Sequence, residues 1–182
     1  MEELQHQVLQ DVANKLSSIN IDYMLTGSMA TFVYAMPRMT RDIDIVVNVF
    51  LNRKDDLLNI FQNEYLISED EILFSFTHNS MFNIFHRKSF IKIDLIIQKR
   101  TEYSNVAFKR RRFEKSDTFE GYIISPEDLI ISKVDWAKES LSEMQKNDIK
   151  SVINNTALDL EYLNYWLNEL NLTKIFNKLV ND

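Results

Sequence analysis

Met39-Thr40-Arg41-Asp42-Ile43-Asp44-Ile45-Val46-Val47, the stretch MTRDIDIVV, sets two carboxylates one residue apart in a run otherwise suited to burial. In a β-strand, successive side chains point to opposite faces. Ile43, Ile45 and Val47 then share one face, and Asp42, Asp44 and Val46 share the other. A charge on a sheet face needs a partner. Two like charges side by side also raise the pKa of one of them unless a cation intervenes. The aspartate face therefore looks either into solvent or onto something positive.

The chain around this stretch has 182 residues, enough for one solid core with a small helical appendage. Its net charge of −6 disfavours broad nonspecific nucleic-acid binding, although a local basic groove remains compatible with it. Cysteine is absent, which removes disulfides and thiolate metal sites and fits a cytoplasmic protein. The longest apolar runs, such as VYAM (33–36) and LIIS (129–132), are far too short to span a bilayer, so no membrane partner is expected. MEELQHQVLQ at the start has neither a basic n-region nor an apolar h-region, so no signal peptide is expected. With two glycines and two prolines in the whole chain, each is expected to mark a backbone requirement.

Periodicity predicts a helix over 2–19 stopped at Asn20, a short strand over 21–26, and a helix with Ser28 near its start that Pro37 ends. The strand holding Asp42 and Asp44 runs to about Val49. An amphipathic helix is expected over 53–64, and SEDE (68–71) reads as a capping box before another short helix. MFNIFHR and SFIKIDLIIQ form a predicted hairpin turning near Lys88. Residues 101–112 read as a helix ending in Lys109-Arg110-Arg111-Arg112, followed by a hairpin over 113–124 with Gly121 at a strand edge or turn. Ser125 caps the next helix, with Pro126 in its first position and Glu127 and Asp128 in its first turn. The remainder reads as helices over roughly 145–153, 157–170 and 173–180. The expected class is α+β: a small mixed sheet flanked by helices, residues 1–124, with a helical C-terminal part, residues 125–182.

Three features of this pattern carry chemistry. Gly27-Ser28 stands between a strand and a helix, where a glycine suggests close backbone approach or a positive φ, and the first N–H groups of the helix suit a phosphate. Asp42 and Asp44 offer hard oxygen ligands on a rigid strand, which suits Mg2+. Asp94, in FIKIDLII, is a lone acid in an apolar strand and shares its face with Lys92. If the two strands are neighbours, Asp94 reaches the Asp42/Asp44 face, and three converging carboxylates call for a cation. The alternatives are a solvent-facing strand for the first pair and an ion pair with Lys92 for Asp94.

Thr26-Gly27-Ser28, thirteen further residues and then Asp42-Ile43-Asp44-Ile45 resemble the signature of the DNA polymerase β-like nucleotidyltransferase superfamily. Thr26 departs mildly from the hydrophobic residue that usually precedes the glycine. Asp94 matches the third carboxylate expected on a later strand. PRMTRDIDIVV, SPEDLIISKVDWA with Lys146-Asn147-Asp148, and LDLEYLNYWLNEL resemble the abortive-infection-type members, some of which are toxins of toxin–antitoxin pairs.

The resemblance implies a nucleotidyltransferase fold and transfer of NMP from an NTP to a hydroxyl. Gly27 and Ser28 would bind the triphosphate. Asp42, Asp44 and Asp94 would hold two Mg2+ ions, with Mn2+ able to substitute, and Asp94 would help deprotonate the acceptor. Lys133 would meet the phosphates, and Arg38 phosphate or acceptor. Expected partners are an NTP, a hydroxyl acceptor in RNA or tRNA, a protein or a small molecule, and an antitoxin protein. The rival expectation is a non-catalytic module of this fold that binds a protein or RNA partner.

Other residues promise less. His6, His78 and His86 lack metal-ligand spacing. The run Lys109–Arg112 reads as a solvated helix end complementing the dipole, with a groove for RNA or for a charged acceptor as the alternative. Trp136, Tyr162, Tyr165 and Trp166 read as helix packing rather than base-stacking platforms.

Overall fold

The computed structural model describes residues 2–35, 40, 42–117, 119–138 and 142–181. Helix α1 (Glu2–Ser18) leads into β1 (Asp22–Thr26), α2 (Gly27–Tyr34) and β2 (Asp42–Asn48). Then come α3 (Lys54–Phe61), β3 (Tyr65–Leu66), α4 (Glu69–His78), β4 (Met81–His86) and β5 (Lys92–Ile97). After α5 (Glu102–Lys109), β6 (Arg112–Lys115) and β7 (Glu120–Ile123), the chain continues as α6 (Pro126–Trp136), α7 (Glu143–Asn155), α8 (Leu160–Glu169) and α9 (Thr173–Asn181). The class is α+β, as expected.

The described strands form one mixed sheet in the order β3-β4-β5-β2-β1-β7-β6. The pairs β2·β5 and β1·β7 are parallel, and the other neighbours are antiparallel. Alternation in β2 is complete: Ile43, Ile45 and Val47 are buried, whereas Asp42, Asp44 and Val46 are half-buried. Ile93, Leu95 and Ile97 do the same for β5. The apolar faces join Val8, Leu9, Val12 and Leu16 of α1 in one cluster. That cluster extends into Leu129 and Ile130 of α6, Ile149 of α7 and Leu167 of α8.

Local chemistry accounts for the boundaries. Asn20 adopts φ 54, a left-handed stop after α1. Ser68 caps α4 by accepting from the Glu71 N–H, and Asn79 ends it at φ 48. The Ser125 hydroxyl accepts from the Asp128 N–H at 3.2 Å and donates to its Oδ2 at 2.7 Å. α2 ends at Tyr34, with extended backbone at Ala35, and Pro37 lies outside the described residues.

Two expectations change. The helix predicted over 101–112 stops at Lys109, because Arg112 pairs with Ile123 in the β6·β7 ladder. Tyr65–Leu66 forms a strand that two residues of sequence cannot announce by alternation; it pairs with Phe85 and His86 at the sheet edge.

Candidate active site

The parallel pairing of β2 with β5 sets Asp42 opposite Lys92 and Asp44 opposite Asp94. Residues opposite one another share a face, so the three carboxylates and Lys92 stand together on the face away from Ile43, Ile45 and Val47. Lys92 Nζ lies 2.9 Å from Asp94 Oδ2 and 3.8 Å from Asp42 Oδ2. Both readings of Asp94 therefore hold at once: it joins the acidic face, and it is paired with Lys92. Asp94 is only 6% exposed, and its second oxygen, Oδ1, is buried with no hydrogen-bond partner.

The electrostatics follow from this crowding. Burial, and then the charges of Asp94 and Asp42, push the Asp44 carboxyl up to about 6, with Lys133 and Lys92 opposing the rise. Burial also raises Asp94; Lys92 opposes that, and Asp42 adds to it.

Gly27 joins this face to the start of α2. Thr26 pairs with Asp44 across β1·β2, so the chain turns into the helix directly beside that carboxylate. Gly27 takes φ +63, and a Cβ there would stand 2.0 Å from Asp44 Oδ2 and 2.9 Å from Asp44 Cβ. The lack of a side chain is what lets the first turn of α2 lie against Asp44. Ser28 holds the next position of that turn.

Lys133 comes from α6 and is buried. Its Nζ donates to Asp148 Oδ2 on α7 at 2.7 Å, and its charge reaches Asp44. It therefore points inward, on the side of the aspartates. Removing one partner of a buried ion pair leaves a charge poorly compensated. Asp148→Asn is expected to cost about 3 kcal/mol in urea unfolding. A cost below about 1 kcal/mol, the range of exposed pairs, would remove Lys133–Asp148 as a structural lock.

Among the described residues, no group of three or more His, Asp or Glu side chains is gathered tightly enough to hold a metal ion as it stands. The donor set nonetheless suits a hard divalent cation, with carboxylate oxygens on rigid strands and a buried Asp94 Oδ1 lacking a partner. Lys92 supplies the positive charge that this face requires.

No family model matches the chain, and no curated protein matches it. Solved structures do. The antibiotic-resistance factor ANT(2'')-Ia aligns over 95% of this chain and 96% of its own, at 12% identity and a TM-score of 0.64. The lincosamide antibiotic adenylyltransferase LnuA, solved with lincomycin bound, aligns over 86% and 98%, at 14% identity and 0.55. An antigenic nucleotidyltransferase-like protein from Paracoccidioides brasiliensis aligns over 97% and 96%, at 17% identity and 0.55. The chain has the nucleotidyltransferase fold.

Within this nucleotidyltransferase fold, Arg38 lies outside the described residues. Asp148 was missed as a site residue, although a lone acid beside buried Ile149 and Val152 was a signal that it is held inside. In the basic run Lys109 and Arg112 are exposed, as in a solvated helix end, whereas Arg110 and Arg111 are held by other elements. Arg110 donates to Glu127 Oε2 at 3.0 Å and stacks on Tyr162, 3.7 Å from the ring centroid. Arg111 pairs with Asp22 at 3.1 Å and lies over Phe108. These two arginines fasten α5 to α6, α8 and β1. Trp166 packs among Tyr103, Tyr162 and Tyr165 as expected, but Trp136 is 55% exposed.

Proposed function

We propose that this protein transfers NMP from an NTP to a hydroxyl acceptor. The observation that carries the reading is Gly27, whose missing side chain lets the first turn of α2 lie against Asp44. A helix N-terminus beside clustered carboxylates suits a nucleotide triphosphate, with cations that those carboxylates would hold offsetting its charge. In the proposed step the acceptor oxygen attacks the α-phosphorus, the bond from that phosphorus to the bridging oxygen breaks, and pyrophosphate leaves. The acceptor proton passes to Asp94, whose buried Oδ1 has no hydrogen-bond partner and is open to receive it. The N–H groups of Gly27 and Ser28 hold the triphosphate, and Lys133, oriented by Asp148, adds positive charge beside it. Asp42, Asp44 and Asp94 would hold Mg2+ or Mn2+, which would neutralise phosphate charge and activate the acceptor oxygen. Arg38 keeps its proposed phosphate or acceptor contact from the sequence resemblance. The toxin role, with an antitoxin partner, rests on that resemblance too.

Incubation with α-labelled NTPs, Mg2+ and cell extract tests the reading. Label is expected on one class of acceptor, with release of pyrophosphate. No transfer to RNA, protein or small molecules would overturn it.

One observation favours the rival, a non-catalytic module that binds a protein or RNA: Lys92 already pairs with Asp94 and reaches Asp42, offsetting part of the charge of the acidic face. Lys92→Gln separates the two. In EDTA the variant loses stability under either reading, because the carboxylates repel unscreened. If the face takes Mg2+, it also reaches half of its Mg2+-induced rise in melting temperature at roughly tenfold lower Mg2+. If Mg2+ moves neither protein's melting temperature, the non-catalytic reading stands.

A further inference from the structure

A cleft of about 250 Å3 lies at β4, lined by Asp70, Glu71 and Phe74 of α4 and by Met81, Phe82 and Asn83 of β4. Its place in the sheet is fixed by register. Asn83 pairs with Asp94 and Met81 with Ile96, so the Asn83 and Met81 side chains share the face of Asp94 and Asp44. Across the sheet the order is Gly27 at the end of β1, Asp42 and Asp44 on β2, Asp94 on β5, then the cleft at β4. With the triphosphate on the Gly27 side, the acceptor must come from the other side of the carboxylates, and the cleft lies there.

The lining states what would fit. Phe74 is 59% exposed and Met81 37%, an apolar wall open to solvent. Phe74 is steadied by His78, whose ring stacks on it at 3.9 Å between centroids. Asp70 and Glu71 are exposed and have no ion-pair partner among the described residues, whereas the neighbouring Glu69 is paired with Lys54. The buried Asp94 Oδ1, one strand from Asn83, still lacks a donor. The volume is below the roughly 300–1,000 Å3 of clefts for drug-sized ligands, so it admits one ring or one side chain. Exposed acids that no described lysine or arginine pairs with repel a polyanion such as RNA and attract a cation.

We infer that the Asp70/Glu71/Phe74/Met81/Asn83 cleft is the acceptor subsite, and that it takes a compact, hydroxyl-bearing ammonium compound. This rests on the transferase reading above. Asp70 and Glu71 select its charge, Phe74 and Met81 cover its apolar face, and Asn83 offers hydrogen bonds beside Asp94.

Two measurements test it. Without nucleotide, glucosamine and its neutral counterpart N-acetylglucosamine are titrated into 15N-labelled protein. Glucosamine is expected to shift the amide signals of Phe74, Met81 and Asn83, and Asp70→Asn/Glu71→Gln to weaken its binding about tenfold. Equal binding of the two sugars, or no effect of the double variant, overturns the proposal. With α-labelled NTP and Mg2+, the same double variant should raise KM for the amine acceptor about tenfold and leave KM for NTP unchanged. Transfer to RNA or to neutral acceptors at a rate indifferent to the double variant overturns the subsite while the transferase reading survives. Charge-selective binding without transfer from any NTP overturns the transferase reading and the acceptor role with it. Both surface substitutions are isosteric, and an unchanged melting temperature checks that the fold is intact.

Discussion

Asp44→Asn is expected to abolish nucleotidyl transfer while making the metal-free protein more stable at pH 8. The two effects share one cause. Asp44 is the most crowded of the three acids, and its carboxyl is pushed from 3.8 up to about 6 by burial and by Asp94 and Asp42. A carboxyl with a raised folded-state pKa binds its proton more tightly folded than unfolded, so it destabilises the protein wherever it is ionised. Between pH 4 and 6 the folded state holds more protons than the unfolded state, and stability falls as pH rises. The penalty is complete above about pH 7 and amounts to up to about 3 kcal/mol. Asparagine keeps the shape without the charge. In EDTA the variant should therefore be more stable than wild type at pH 8 by up to about 3 kcal/mol, with the gap shrinking below pH 6 and closing near pH 4. With Mg2+ and NTP the order should reverse, because a site with fewer charges binds the cation less tightly and gains less from linkage. A loss of ~10³-fold in rate corresponds to about 4 kcal/mol of transition-state stabilisation. Urea unfolding across pH, with and without Mg2+, reads all of this. If the variant unfolds in EDTA, Asp44 is a structural hydrogen-bond acceptor; if it transfers normally, it is not a ligand.

The acidic face was legible because a strand has a period of two. Nothing beyond alternation is needed to put Asp42 with Asp44, or Asp94 with Lys92, and the cost of lone charges in apolar strands suggested that the two pairs meet. Gly27 was legible because the chain has so few glycines. What stayed hidden was the choice among partners. Lys92 was visible both as a neighbour of Asp94 and as its possible ion pair, but that it also leans toward Asp42 depends on the parallel register of β2 with β5. Asp148 and Lys133 lie fifteen residues apart on separate helices, and only their packing joins them. Arg110 was misread for a similar reason. Its local context is a helix end, but Glu127, Asp128 and Tyr162 arrive from α6 and α8. Local pattern assigns faces and caps, whereas the pairing of long charged side chains is settled by tertiary contacts.

Gly27→Ala carries the second large effect, and it tests the geometry on which the functional reading depends. Two costs add. The positive φ of Gly27 costs an L-residue about 1–2 kcal/mol. The new methyl would also stand 2.0 Å from Asp44 Oδ2, 2.7 Å from Cγ and 2.9 Å from Cβ. The carboxylate can rotate away, but Cβ is fixed to the β2 backbone, so the start of α2 must lift from the strand. A loss of at least about 2 kcal/mol in urea unfolding is expected, in the range of named backbone and overpacking mechanisms. Lifting α2 also draws its N–H groups from the carboxylates, so transfer should fall by at least about a hundredfold, since misplacement by about 1 Å costs that much. The two costs separate in a double-mutant cycle. In an Asp44→Ala background the contacts to Oδ2 and Cγ are gone, while the φ penalty and the Cβ contact remain. Gly27→Ala should then cost about 1 kcal/mol less than it does in wild type, a coupling of the size seen between residues in contact. If the two substitutions add without coupling, the start of α2 does not lie against Asp44, and the phosphate site proposed at Gly27 and Ser28 has no carboxylates beside it.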